Sequence, residues 1–131
     1  MKLDIKDITM LVGEETTETF QEEEDGPFIT LPVLPVRFFP YGHRQSFLTV
    51  NLIFVRSGAE TTLWGMGGTD PEDEETMARA MECDNDPDTS MIFFCIRQML
   101  DHAQDLLERD SLFPGKSYAW SEIALASHTV G

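Results

Sequence analysis

The sequence predicts an α+β fold: a single domain over residues 1–131 with one antiparallel β-sheet and two α-helices packed on one of its faces. Three observations predict it. The stretch from Gly26 to Ala59 holds no acid and is rich in β-branched and aromatic residues. Two later segments combine helix-start signals with apolar residues three and four apart. The chain is also long enough to bury roughly two thirds of its extended surface around one core.

Leu3, Ile5, Ile8, Met10 and Val12 alternate with one slip and predict a first strand. Glu14 to Asp25 holds seven acids in twelve residues, with Thr16, Thr17 and Thr19. Like charges this dense oppose packing, so 14–25 reads as a mobile, exposed acidic loop. Phe28 to Val33 and Val36 to Phe39 read as extended. Pro32, Pro35 and Pro40 remove ladder donors there and place the segment on a sheet edge or in an irregular crossing. Phe47 to Val55 is the clearest strand, apolar on both faces, which predicts a central strand covered on both sides. Ser57-Gly58 permits a tight reversal into Glu60 to Met66, a hairpin.

Gly65, Gly67 and Gly68 end that strand, and Asp70-Pro71-Glu72 starts a helix: a capping Asp, Pro at the first position, and acids at the positive dipole end. It runs to about Met81, with Met77, Ala78 and Met81 on one face. A second helix opens at Asp86-Pro87 and extends as far as Arg109. Ile92, Ile96, Met99, Ala103 and Leu107 follow helical spacing, and Leu100 and Leu106 widen the stripe. Phe113-Pro114-Gly115 stops it, and Tyr118 to Ala126 predicts a final strand.

Charge bounds the function. There are 24 acids against 9 bases, a net charge of −15. Such a surface repels nucleic acid and anionic lipid and attracts basic surfaces. With 41% hydrophobic residues, nine Phe and two Trp, the chain is too apolar for a disordered acidic tail, so the acids decorate a folded body. No run approaches the ~20 apolar residues of a membrane helix, and Met1-Lys2-Leu3-Asp4 does not open a secretory signal, so a soluble, cytoplasmic protein is expected. Cys83 and Cys95 are the only thiols. Cys95 lies in the apolar run from Met91 to Ile96, which predicts a buried free thiol rather than a disulfide.

The motifs weigh against catalysis. Asp84 to Asp88 alternates acids as a calcium loop does, but Thr89 stands where a Gly is needed and Cys95 where a bidentate Glu belongs. Four successive acids, Glu72 to Glu75, point in different directions from a helix and do not converge on a metal ion. His102 stands near Asp101 and Asp105, yet nothing marks a nucleophile for it to activate. Gly42 to Ser46 forms a polar, basic turn, either a contact loop or an ion-pair partner for the acidic N-terminal segment. Gly65-Met66-Gly67-Gly68 lacks the Gly-Lys-Ser/Thr ending of a phosphate loop and leads into an acidic helix start that repels phosphate. No enzymatic activity, metal or cofactor is expected.

The expected function is that of a non-enzymatic acidic binding protein that inhibits or masks a basic, nucleic-acid-handling partner, without binding nucleic acid or membrane itself. Two acidic blocks on a rigid body would act as a DNA mimic, with complementary potentials steering the encounter. Phage inhibitors of restriction or CRISPR nucleases and immunity proteins against nuclease toxins share this size and charge. The expected contacts are Glu22, Glu23, Glu24 and Asp25 together with Glu72, Asp73, Glu74 and Glu75. The alternative is an acidic secretion or assembly chaperone, with the apolar run from Phe28 to Tyr41 offering its client a groove.

Overall fold

The computed structural model describes residues 7–21, 23–42, 44–82 and 91–123. Along the chain it contains β1 (Ile8–Val12), β2 (Thr16–Gln21), β3 (Phe28–Pro40), β4 (Leu48–Ser57), β5 (Glu60–Gly68), α1 (Pro71–Met81), α2 (Met91–Glu108) and β6 (Ser117–Ala119). The strands form one antiparallel sheet in the order β5-β4-β3-β1-β6, with β2 also paired to β3. The helices pack on one face of it, giving the α+β architecture that the sequence predicts.

Alternation builds that packed face. Ile8, Met10 and Val12 of β1, Leu34, Val36 and Phe38 of β3, and Leu48, Val50, Leu52 and Phe54 of β4 are all buried toward the helices. Against them α2 lays Ile92, Cys95, Ile96, Met99, Leu100, Ala103 and Leu107, the expected stripe widened by the free thiol. The inner face of α1 is displaced from expectation. Ala80 is buried and Met77 half-buried, whereas Ala78 and Met81 are exposed. Asp73, on the same face as Met77 and Ala80, turns inward to accept the Thr49 N–H at 3.3 Å and sets the helix's rotation.

Three expectations are corrected. First, β3 is a central strand despite its prolines, because each sits where no ladder donor is needed. The Pro35 carbonyl accepts from Gly13 N–H at 2.8 Å, so its ring nitrogen faces the irregular step between β1 and β2, where residues 13–15 oppose 34–35. Pro32 and Pro40 direct theirs toward β4, but that pairing spans only Val33 to Phe38 and stops between them. Second, the 14–25 segment is exposed, yet its middle forms β2, in register with β3 from Thr16↔Val33 to Gln21↔Phe28. Threonines at 16, 17 and 19 suit a strand, and pairing on one side leaves its charges in water. Third, the last strand is short: β6 ends at Ala119, and residues 120–123 form a helical turn. The Asp7 carboxylate turns the chain there, accepting from the Ser121 N–H at 3.1 Å and the Ser121 hydroxyl at 2.7 Å.

The β4–β5 hairpin is as expected. Gly58 takes a φ of 64° opposite the Ser57↔Glu60 pair, and Ala59 does not need one, the pattern of a II′ turn. Leu3 and Ile5, the Asp86-Pro87 helix start, the Asp84 to Asp88 loop, Cys83 and residues 124–126 lie outside the described residues.

Candidate functional site

The two predicted acidic blocks are built differently. Glu23, Glu24 and Asp25 are exposed in the turn between β2 and β3. The turn closes through Gly26 N–H to the Glu23 carbonyl at 2.9 Å and through the Gln21 side-chain amide donating to the Gly26 carbonyl at 2.9 Å. None of the three carboxylates is spent on another group among the described residues, and Phe28 (71% exposed) and Ile29 (39%) follow after Gly26-Pro27. Glu22 lies outside the described residues.

The acids of α1 are largely occupied. Asp70 caps the helix by accepting from Asp73 N–H at 2.8 Å. Asp73 accepts from the Thr49 N–H and the Thr69 hydroxyl, standing in for the next residue of β5. Glu74 accepts from the Gly68 N–H at 2.9 Å, and Glu75 pairs with Arg79 at 3.0 Å. Of the acids at 70–75, only Glu72 keeps a carboxylate with no partner among the described residues. Asp73 and Glu74 therefore hold the helix to the sheet, Asp73 with both carboxylate oxygens and Glu74 with one.

The sheet's other face carries a feature that sequence reasoning missed. Phe20 of β2 meets Trp64 of β5 with ring centroids 5.2 Å apart. Three strand spacings, about 14 Å in a flat sheet, separate those two strands. The sheet therefore curls until β2 closes over the face opposite the helices, covering Leu31, Val33 and Ile53. A β-bulge completes the contact: Ile53 pairs with Gly65 and Phe54 with Leu63, so Trp64 is the extra residue and is aimed outward. Between β2 and β5 lies a cavity of about 270 Å³, lined among others by Glu18, Phe20, Asn51, Gly67 and Glu74. A bulge leaves no periodic trace, so only the Gly-rich end of β5 could have signalled it.

The remaining candidates have structural roles. His102 is half-buried, with its ring edge-on to Tyr118 at 6.4 Å. Among the described residues the acidic segment's ion pair is Glu15 with Arg56 at 2.8 Å rather than with Arg44 of the 42–46 turn, and the Glu15 carboxylate raises the Arg56 pKa. Among the described residues no three His, Cys, Asp or Glu side chains stand where they could hold a metal ion. The run from Phe28 to Tyr41 offers no continuous apolar groove, since Leu31, Val33, Leu34, Val36 and Phe38 are buried and, apart from Arg37, its exposed residues lie at its ends. No helix among the described residues is long and apolar enough to cross a membrane.

Cys95 is a poor nucleophile. Burial, reinforced by the charge of Asp7, pushes its thiol from 9.0 up to about 12. Because the folded thiol keeps its proton when the unfolded one has lost it, stability is complete below about pH 9 and falls as pH rises toward 12. Urea midpoints should drop between about pH 8 and pH 11, and Cys95→Ala should flatten that slope.

No protein-family model, curated protein or solved structure matches the chain.

Proposed function

We propose that this protein is a non-enzymatic, acidic binding protein that masks or inhibits a basic, nucleic-acid-handling partner, in the manner of an anti-CRISPR or anti-restriction inhibitor, a DNA mimic or a nuclease-toxin immunity protein. One observation carries the reading. At the β2–β3 turn, three exposed carboxylates with no partner among the described residues are followed, after Gly26-Pro27, by an exposed Phe28 and Ile29. Charge accelerates the encounter with a basic surface, and an aromatic anchor slows release. The net charge of −15 supplies the long-range field.

The test is capture from nuclease-treated lysate at low and high salt, followed by assay of nucleic-acid binding by the captured protein. A basic protein that elutes as salt rises, and loses its nucleic-acid binding while held, supports the reading. The triple variant Glu23→Lys, Glu24→Lys, Asp25→Lys should weaken capture at least about tenfold with a nearly unchanged thermal midpoint, because exposed charges contribute little to folding. An unchanged affinity removes the turn from the interface. Retention of an apolar client through high salt would support the chaperone instead, with Phe28 and Ile29 as its contact.

A further inference from the structure

We propose that the groove between β2 and β5 receives an arginine side chain of the basic partner. The inference rests on the binding-protein reading and adds to it a site away from the β2–β3 turn, which draws on Glu74 of the second acidic block.

The groove is furnished for a donor-only group. Glu18 makes no hydrogen bond or ion pair among the described residues, and Glu74 spends one carboxylate oxygen on the Gly68 N–H. Asn51, in the floor, is flanked across the sheet by Pro35 and Gly67, neither of which has a polar side chain to engage its amide. One wall is the Phe20 ring, held in place by Trp64. No Lys, Arg or His lines the cavity. It thus presents two carboxylates, one amide oxygen and an aromatic face, with no cation of its own.

Guanidinium answers that set better than ammonium does. It is planar, carries five N–H donors and no acceptor, pairs with carboxylates side-on and stacks on an aromatic ring. An ammonium is a compact and strongly hydrated point charge with no plane to stack. Size limits the guest as well. At about 270 Å³ the cavity falls below the range of drug-sized ligand sites, so one side chain enters and its backbone stays outside.

Two acetylated and amidated peptides of equal charge test this: Lys-Lys-Arg-Lys-Lys and its all-lysine counterpart, titrated calorimetrically at low salt and followed by amide chemical shifts. Both should bind, and the arginine peptide about tenfold more tightly. It alone should shift the Gly67 and Gly68 amides and the Trp64 indole N–H. The double variant Glu18→Gln, Asn51→Ala should abolish the arginine advantage at an unchanged thermal midpoint. Equal affinities in the native protein, an advantage that survives the double variant, or shifts confined to other surfaces would overturn the groove while leaving the basic-partner reading standing. If neither peptide binds, the reading beneath it fails too.

Discussion

Phe38→Ala is expected to destabilise the protein by about 3–5 kcal/mol, measured by urea denaturation. Phe38 is fully buried at the centre of the packed face, in register with Met10 of β1 on one side and Leu48 of β4 on the other. Truncation removes the transfer energy of the ring and leaves a hole that three paired strands cannot collapse to fill. Against a total stability of about 5–15 kcal/mol, that loss is a large fraction. Phe28→Ala is the control. The same residue type stands at the start of the same strand, but 71% exposed, and should change stability by no more than about 0.5 kcal/mol. A loss at Phe38 no larger than at Phe28 would mean that the core is not where the structure places it.

Gly68→Ala is expected to cost about 3 kcal/mol and lower the thermal midpoint by about 10 °C. The cause is space, since Gly68 has no positive φ to protect. A Cβ there would stand 2.6 Å from the Glu74 backbone nitrogen and 2.8 Å from both the carbonyl carbon and the Cβ of Asp73. These atoms belong to the first turn of α1 and cannot rotate away, so the helix must lift from the sheet. With it go the Glu74 bond to Gly68 and the Asp73 bond to Thr49. Gly67→Ala, whose nearest neighbour would be Glu74 Oε1 at 3.6 Å, should be tolerated. Equal effects at the two positions would refute close docking of α1.

What could be read from the sequence was local. The II′ hairpin at Gly58 and the α2 stripe from Ile92 to Leu107 rest on turn chemistry and periodicity, which need no knowledge of neighbours. The central place of β3 could not be read that way. The cost of Pro32, Pro35 and Pro40 depends on which neighbour each backbone nitrogen faces, and register decides that. β2 was hidden by its charges, which an edge-paired strand can leave in water. The turn acids were located correctly as exposed groups, whereas Asp73 and Glu74 have structural duties that composition does not show. The groove rests on a one-residue bulge at Trp64 and on the curl of the whole sheet, and neither has a sequence period.

The Asp7 clasp on Ser121 has a kinetic consequence. Its two ends are 114 positions apart in the chain, and the β1–β6 pairing beside it joins segments nearly as distant. On a ribosome the sheet through β5 and both helices can assemble early, but this border of the sheet stays open until residue 121 has emerged. Closing so long a loop costs only about 0.6 kcal/mol more than closing one half its length. The delay is therefore set by the rate of synthesis, and until then β1 presents an unpaired edge to any other nascent chain.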